Sequence, residues 1–245
     1  MTGDPTMTIT KDRIVTDGLY QNKREQIDPF AFDDSVTKVF SDMIRRSIPG
    51  YQSVVDITGL IAAKRLQPST MCYDLGCSRG ASTASILKAI GDRECKIVAV
   101  DSSAHMIAAA TANLVDPRLS FQHADIRDIE YVDASFVVAN FTLQFLPPED
   151  RLAFLRNVRN GLRPDGVFLV SEKIDDDKEF AELHVDFKRE NGYSELEISQ
   201  KRAALENVMK IDTQDVILAR LNDAGFTHCR IWFRCLNWIS ILATS

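Results

Sequence analysis

The chain has 245 residues, of which 45% are hydrophobic and 26% are charged, and this composition predicts one sizeable globular domain rather than a disordered or fibrous segment. Its 29 basic and 35 acidic residues give a formal net charge of −6, which disfavours direct nucleic-acid binding because a polyanion is repelled. The five cysteines form no C-x-x-C pair and no eighteen apolar residues run together, so we expect a cytoplasmic protein without a membrane anchor.

The beginning of the chain divides into a tail and a helical cap. The first residues are polar and show no sustained hydrophobic period, so we predict a flexible tail over residues 1–28 and a single catalytic domain over residues 29–245. From Phe32 onward, apolar residues recur at helical spacing as far as the Pro49–Gly50 pair. A second helix is expected over residues 52–66, and the two helices would form a cap.

Strands and helices alternate through the middle of the chain. The pattern predicts strands at residues 71–75, 96–101, 118–123, 134–140 and 166–172, and helices at residues 80–90, 103–113 and 148–161. Because such alternation requires helices on both faces of a parallel sheet, we predict a Rossmann-like α/β fold.

Two features follow the last of these strands. Residues 178–209 hold two charged helical stretches with no strand between them, which predicts a polar lid over about residues 175–210. The final stretch, FTHCRIWFRCLNWISILATS, has two β-rich runs without an intervening helix, so we predict an antiparallel hairpin at one sheet edge. The mixed seven-stranded sheet that results is typical of class I S-adenosylmethionine enzymes.

The stretch YDLGCSRGAST has the features of a ligand-binding loop between a strand and a helix. Gly76 permits close approach of the backbone to a ligand, and Gly80 permits tight packing of the helix on the strand. The dinucleotide pattern G-x-G-x-x-G is absent, since Ser78 stands where the commonest loop has glycine. Asp74 suits a ligand with an ammonium group, such as the amino-acid half of S-adenosylmethionine. A plain β–α turn is the alternative.

Polar residues also follow the next three strands. Asp101 could accept hydrogen bonds from ribose hydroxyls, or it could cap the helix that begins at residue 103. Asp125 and Ile126 could contact an adenine edge with a carboxylate and a backbone N–H. Asn140 could face the reacting end of the cofactor, or it could be a buried structural amide. The series of positions favours a bound adenosine.

Other chemistry is disfavoured by what the sequence lacks. The fourth strand ends in Asn140-Phe141-Thr142-Leu143 and not in the Asn/Asp-Pro-Pro-aromatic sequence of enzymes that methylate base amines. The four histidines lack metal-ligand spacing, so no metal site is predicted. No serine lies in a nucleophile elbow, and Cys77 within the loop is expected to support the backbone.

Four stretches together resemble the carboxy-S-adenosylmethionine synthase family: VFSDMIRRSIPGY, YDLGCSRGAST, DIRDIEYVDASFVVANFTLQFL and FKRENGYSELEISQKRAALENVM. The resemblance spans about residues 32 to 244, and the family has serine at the position of Ser78. It implies a cofactor site formed by Tyr51, Gly76, Cys77, Ser78, Asp101, Ser102, Asp125, Ile126, Asn140 and Arg202.

The resemblance also implies the reaction. Prephenate would lose carbon dioxide and hydroxide to give phenylpyruvate, and the deprotonated sulfonium methyl group of S-adenosylmethionine would capture the carbon dioxide. Arg202 in the lid would bind the new carboxylate through its planar guanidinium, with Tyr193 beside it. Without the resemblance, Arg202 would be interpreted as a solvated residue that pairs with Glu206. A homodimer and a product used to modify the wobble uridine of transfer RNA are implied as well.

One departure and two alternatives accompany this interpretation. The segment between Lys173 and Asp186 is about five residues shorter than is usual in the family, and its paired histidines are His184-Val185 here, so the prephenate contacts there stay open. The chain could instead be an ordinary methyltransferase acting on a small molecule or transfer RNA. It could also be a non-catalytic cofactor-binding protein, although such a protein has no use for a carboxylate-binding arginine.

Overall fold

The computed structural model describes residues 8–9 and 15–244. Its helices are α1 (Asp34–Ser47), α2 (Tyr51–Arg65), α3 (Ala81–Ile90), α4 (Ala104–Asn113), α5 (Arg151–Gly161), α6 (Lys178–Glu190), α7 (Glu195–Leu205) and α8 (Gln214–Asp223). Its strands are β1 (Thr8–Ile9), β2 (Met71–Leu75), β3 (Lys96–Asp101), β4 (Leu114–Val115), β5 (Leu119–His123), β6 (Ala134–Asn140), β7 (Leu162–Lys173), β8 (His228–Cys235) and β9 (Trp238–Thr244).

Within the described residues, seven strands form one mixed sheet in the order β5-β3-β2-β6-β7-β9-β8. The first five of these strands run parallel to one another, and β9 pairs antiparallel with both β7 and β8. The predicted hairpin at the sheet edge is therefore confirmed. The strand order reverses between β2 and β6, and in open sheets of this kind the crevice at the carboxyl ends of such strands is the usual ligand site.

The sheet is buried because its central strands are apolar on both faces. Strand β6 reads ASFVVAN and all but its last residue are buried, as is expected where helices cover both sides of a parallel sheet. One face packs against α5 and α8, and the other packs against α2 and α3. Helix α8 was not predicted, although Thr213 caps its first turn and Ile217 and Leu221 give it a buried face.

A layer of three helices, α1, α6 and α7, lies over the carboxyl edge of the sheet, and we call this layer the helical cover. Helix α1 begins where the Asp33 carboxylate accepts a hydrogen bond from the Val36 N–H. Helix α7 begins with a reciprocal capping box between Ser194 and Glu197. The cover contains both helical stretches of the predicted lid.

The segment before α1 packs on the rest of the chain at some of its described residues, although residues 21–26 are exposed. Residues 1–7 and 10–14 lie outside the described residues. Beyond them, Asp17 and Tyr20 are buried, and the Gln200 side chain of α7 donates hydrogen bonds to the backbone oxygens of Tyr20 and Asn22. The polar sequence of this segment reflects side chains that bond to the cover, so polarity here does not indicate a lack of packing.

No helix in the described part of the chain is both long enough and apolar enough to cross a membrane.

Candidate functional site

A cavity of about 560 Å³ lies between the carboxyl edge of the sheet and the helical cover. Nine of the predicted site residues line it: Tyr51, Gly76, Cys77, Ser78, Asp101, Ser102, Asp125, Ile126 and Asn140. Three do not, namely Asp74, Tyr193 and Arg202. The cavity thus forms where the loops after β2, β3, β5 and β6 meet, as the alternating pattern required.

The loop after β2 has the backbone that the sequence indicated. Gly76 has a φ of +70°, and a Cβ atom there would lie 2.3 Å from the Thr142 Oγ1 atom. Thr142 cannot move away easily, because its hydroxyl donates to the Leu75 carbonyl oxygen at 2.9 Å. Ser78 has a φ of +50°, so it occupies the left-handed conformation that explains the commoner glycine. Its N–H donates to the Asp101 carboxylate at 2.8 Å, which stabilises that conformation.

Asp74 lies beneath this loop and not in the cavity. Its side chain is buried, and its carboxylate accepts a hydrogen bond from the Thr83 hydroxyl at 2.5 Å. Burial raises the pKa of Asp74 to about 6, against the opposing effect of the bond from Thr83. The structure therefore gives Asp74 a role in fixing the start of α3 against β2 and places it outside the cavity lining, and its contact with a ligand's ammonium group stays a prediction.

Asp101 ends β3 with its carboxylate held from both sides. One oxygen accepts from the Ser78 N–H and the other accepts from the Ser103 N–H, each at 2.8 Å. The cap of α4 is Ser103, whose hydroxyl accepts from the Met106 N–H, so the alternative role of Asp101 as that cap does not hold. Burial raises the pKa of Asp101. Each oxygen keeps a further lone pair, so the carboxylate can accept hydroxyl donors from a ligand in the cavity.

Asp125 is partly buried in the cavity lining and already has a partner. Its carboxylate accepts from the Arg127 guanidinium at 2.6 Å and from the Arg127 N–H at 2.9 Å. These bonds lower the pKa of Asp125. Ile126 is buried beside it, begins a short 3₁₀ turn and lines this part of the cavity. We call the region around the Gly76–Ser78 loop, Asp101 and Asp125 the acidic end.

The Asn140 side chain forms a network between four elements. Its amide nitrogen donates to the hydroxyls of Thr58 and Ser82, at 3.2 Å and 3.0 Å. Its amide oxygen accepts from the Ser171 hydroxyl at 2.7 Å. Asn140 lines the cavity, but these bonds occupy its amide as in the structural alternative. They tie the carboxyl end of β6 to α2, α3 and β7.

Three aromatic side chains in contact with one another form a wall of the cavity. The Tyr51 ring lies 6.0 Å from the Phe141 ring, and the Phe141 ring lies 5.4 Å from that of Trp238 in an edge-to-face arrangement. Phe141 has a φ of +61°, which is rare for a large side chain. The buried Glu172 carboxylate accepts from the Leu143 and Gln144 N–H groups at 2.8 Å and so fixes the loop that carries this strained residue.

Cationic side chains from the cover and from the end of β7 line another part of the cavity, and we call the region around Lys173, Lys188 and Lys201 the cationic end. Lys201 is buried, donates to the Ser47 hydroxyl at 3.0 Å and lies 3.7 Å from the Asp17 carboxylate. The ammonium groups of Lys173 and Lys188 have no hydrogen bond or ion pair with any described residue. Burial, followed by the charges of Lys173, Lys201 and Arg202, lowers the pKa of Lys188 to about 7.

His184 lies beside these lysines without adding charge. Burial lowers its pKa to about 3, so the imidazole is neutral near neutral pH. Its Nε2 atom lies 2.8 Å from the Ser47 carbonyl oxygen, to which it donates, and its ring packs edge-to-face on Trp238 at 5.6 Å. Sequence reasoning treated His184 as a core or surface residue and gave no role to the lysines.

Arg202 and Tyr193 lie outside the cavity lining. Arg202 is exposed. Burial of Lys173 is the main cause of its lowered pKa, and the nearby positive charge of Arg202 is the second cause. The Tyr193 hydroxyl donates to the Asp17 carboxylate at 2.5 Å, and its ring stacks under the Arg46 guanidinium at 3.9 Å. These contacts join the cover to the segment before α1, and a place for Tyr193 beside the product carboxylate stays a prediction.

Among residues 8–9 and 15–244, no group of three or more histidine, cysteine, aspartate or glutamate side chains could hold a metal ion. The Cys77 thiol is buried, and burial raises its pKa well above the ordinary value. Its backbone N–H donates to the Val100 carbonyl oxygen at 2.9 Å. This arrangement agrees with backbone support in the loop and does not favour a reactive thiolate.

Sequence comparisons identify relatives along almost the whole chain. The methyltransferase domain family matches residues 73–166. The carboxy-S-adenosyl-L-methionine synthase of Shewanella sp. strain MR-7 is 50% identical over 236 residues, covering 93% of this chain and 97% of the relative. The protein of the same name from Shewanella oneidensis has the same identity and coverage.

Solved structures with low sequence identity share the fold. Human N-acetylserotonin methyltransferase, solved with S-adenosylmethionine, has a TM-score of 0.59 and 16% identity, covering 86% of this chain and 55% of that one. An O-methyltransferase family protein from Burkholderia thailandensis has a TM-score of 0.62 and 17% identity, covering 87% and 60%. These similarities confirm the predicted class I methyltransferase fold.

Proposed function

This chain belongs to the carboxy-S-adenosyl-L-methionine synthase family, and we propose that it converts S-adenosylmethionine and prephenate into carboxy-S-adenosylmethionine and phenylpyruvate. The observation that carries this proposal is a single cavity with carboxylates at one end and unpaired ammonium groups at the other. The two ribose hydroxyls of an adenosine can donate hydrogen bonds to the carboxylates of the acidic end. A reaction that handles carboxylates and carbon dioxide fits the second end by charge.

The proposed reaction balances without a further reactant. Prephenate, a dianion, breaks the bond to its ring carboxylate and releases carbon dioxide, while hydroxide leaves the ring and phenylpyruvate keeps one carboxylate. The hydroxide takes a proton from the sulfonium methyl group and becomes water. The resulting ylide carbon bonds to carbon dioxide and forms the new carboxylate. Because the released hydroxide is the base, no side chain has to remove the methyl proton.

The residues of the acidic end would bind and orient the nucleoside. Gly76 brings the backbone close to the ligand, and Asp101 would accept from the ribose hydroxyls with the lone pairs that Ser78 and Ser103 leave free. Ser102 would support the ribose, and Ile126 would contact the adenine through its backbone N–H. The bonds around Asn140 support a role in holding the end of β6 in place for the sulfonium group.

The cover would exclude water and neutralise the product. Tyr51, Phe141 and Trp238 form an apolar wall beside the cationic end, which would protect an ylide from water. We propose that Arg202 binds the new carboxylate after its exposed side chain turns toward the cavity. Its influence on the pKa of Lys173 and Lys188 supports this role, since it means that the Arg202 charge lies near both amines.

Family membership also supports a proposal on the compartment, the oligomeric state and the use of the product. We infer a cytoplasmic homodimer whose product serves the modification of wobble uridine in transfer RNA. The five free cysteines are in keeping with a reducing compartment. The net charge of −6 supports the view that a separate enzyme, and not this chain, contacts the RNA.

The test is the mass of the sulfonium product. The purified protein is incubated with S-adenosylmethionine, with and without prephenate, and the adenosyl compounds are separated and weighed. We expect a compound heavier than S-adenosylmethionine by one carbon dioxide, formed only with prephenate and in equal amount with phenylpyruvate. S-Adenosylhomocysteine formed with a methyl acceptor would indicate a methyltransferase, and no turnover would indicate a binding protein.

A further inference from the structure

Lys173 and Lys188 are unusual among the lysines of the described residues because they are partly buried in a cavity, close to other cations and without a hydrogen bond or ion pair to an anion; the charge of Asp175 acts on Lys173 without pairing with it. Lys173 ends β7 and Lys188 lies on α6, so two separate elements bring their amines to one cavity. Lys201 offers a contrast in the same region, since Asp17 and Ser47 contact its ammonium group. Like charges that lose water without gaining a partner destabilise a fold, and their presence in a cavity is typical of a site for an anion.

The surroundings of these amines describe the anion further. Lys173 is the last residue of β7 and Trp238 is the first residue of β9, and the two are register partners. They therefore lie side by side at the end of the paired strands. Phe141 and the neutral His184 ring both pack edge-to-face against the Trp238 indole. A ligand here would place a carboxylate between two ammonium groups and an unsaturated carbon ring against aromatic side chains.

We propose that Lys173 and Lys188 bind the carboxylate that the second substrate keeps, namely the 2-oxo acid group of prephenate and then of phenylpyruvate. This inference rests on the function proposed above. The ring carboxylate that becomes carbon dioxide is the poorer match, because two cations bound to it would stabilise the ground state and oppose loss of its charge. With the 2-oxo acid held at the cationic end, the ring carboxylate is free to face the sulfonium methyl group.

The test measures prephenate binding apart from turnover. Protein saturated with S-adenosylhomocysteine, which has no methyl group to react, is titrated with prephenate in a calorimeter. We expect Lys173→Met and Lys188→Met each to raise the Kd for prephenate by roughly 10- to 100-fold and to leave the Kd for S-adenosylhomocysteine within about twofold. Lys188→Arg, which keeps the charge, should bind within about fivefold of wild type.

Controls separate a binding role from a structural one. Lys178→Met changes an exposed lysine on the same helix, whose side chain is 90% exposed, and should leave prephenate binding unchanged. The melting temperatures of Lys173→Met and Lys188→Met should equal or exceed that of wild type, because the substitution removes an unpaired desolvated charge. If methionine prevents folding, Lys173→Gln and Lys188→Gln keep a polar group and are expected to give the same loss of binding.

The outcomes for this inference and for the proposed function are distinct. Unchanged prephenate affinity in both lysine variants overturns the inference, and so does a wild-type protein that does not bind prephenate. If wild type forms carboxy-S-adenosylmethionine while the variants bind prephenate normally, the function stands and the lysine site fails. If binding depends on both lysines but no carboxylated product forms, the lysine site stands and the function fails.

Discussion

The acidic end and the cationic end of the cavity are built in opposite ways. At the acidic end, each polar group lies at the end of a strand or in the loop that follows it, and Asp101 accepts hydrogen bonds from the backbone N–H groups of Ser78 and Ser103. At the cationic end, Lys173 ends a strand and Lys188 lies on the helix that follows it, and neither ammonium group has a hydrogen bond or ion pair with a described residue. The acidic end is preorganised by its hydrogen bonds to the backbone. The unpaired charges of the cationic end destabilise the folded protein, and a bound anion would offset that loss of folding free energy.

The largest effect is expected from Gly76→Ala at the acidic end. The added Cβ atom would lie 2.3 Å from the Thr142 Oγ1 atom, and alanine would also be strained at a φ of +70°. We expect the free energy of unfolding to fall by about 2 to 4 kcal/mol and the affinity for S-adenosylmethionine to fall at least roughly tenfold. Chemical denaturation and calorimetry measure the two effects.

Gly225→Ala is the matched control for this substitution. Gly225 also has a positive φ, of +98°, but its added Cβ atom would lie at an ordinary 3.6 Å from the Arg159 side chain, far from the cavity. We expect a loss of about 1 kcal/mol from backbone strain alone, with unchanged ligand affinity. Equal losses of unfolding free energy and of ligand affinity in the two variants would show that the close approach of Thr142 to Gly76 has no importance.

The second effect concerns Arg202 in the cover. We expect Arg202→Lys to weaken binding of carboxy-S-adenosylmethionine by about 1 to 3 kcal/mol, since one ammonium group cannot reproduce the planar fork of donors. Binding of S-adenosylmethionine, which lacks the new carboxylate, should change little. Arg189→Lys, at an arginine that pairs with Glu195 and Asp186 at the surface, is the control. Equal loss of affinity for both nucleosides would remove Arg202 from carboxylate binding.

The third effect is the pH dependence of stability without ligand. Lys188 faces Lys173 from β7 and Lys201 and Arg202 from α7, and burial with these charges lowers its pKa to about 7. A lysine in an unfolded chain titrates near about 10.4, so above the lower pKa the unfolded state binds more protons and stability rises with pH. Below about pH 7 both states are charged, and the destabilisation is fully present.

This dependence is measured on wild type and Lys188→Met by denaturation in buffers from about pH 7 to about pH 9. We expect Lys188 to add at most about 2 kcal/mol of stability to wild type across that range, and we expect the variant to lack this increment. Parallel pH profiles for the two proteins would mean that the Lys188 amine is already solvated or paired.

The smallest effect is expected from Arg127→Ala at the cavity mouth. Arg127 is 40% exposed and pairs with Asp125 and Asp150, and ion pairs of this kind contribute little to stability. We expect the free energy of unfolding to change by less than about 0.5 kcal/mol. Affinity for S-adenosylmethionine, measured by calorimetry, should change by less than about threefold. A larger loss would mean that the pairing of Asp125 is needed for adenine binding.

The same contrast explains how much of the site the sequence could predict. Strands β2 and β3 and the loop through Gly76 follow from local patterns, so the positions of Asp101 and Asn140 at the sheet edge could be predicted from the order of elements. The bonds that occupy the Asn140 amide could not, because Thr58, Ser82 and Ser171 approach it only through tertiary packing.

The cationic end could not be predicted from local sequence. Nothing near Lys173 or Lys188 distinguishes either residue from a solvated lysine, and their proximity arises when α6 folds over the end of β7. The buried role of Asp17 was missed for a similar reason, because its partners Tyr193 and Lys201 lie more than 170 positions later in the printed sequence. Family resemblance predicted roles for Arg202 and Tyr193 but gave no information on whether they line the cavity in the absence of a ligand.

The most direct test of the central claim is a crystal structure of the protein with S-adenosylhomocysteine and phenylpyruvate. We expect the ribose over Asp101, the adenine beside Ile126, and the phenylpyruvate carboxylate within hydrogen-bond distance of the ammonium groups of Lys173 and Lys188. A nucleoside bound in the opposite direction, or a phenylpyruvate carboxylate that contacts neither lysine, would contradict the claim that one cavity separates the two ligands by charge.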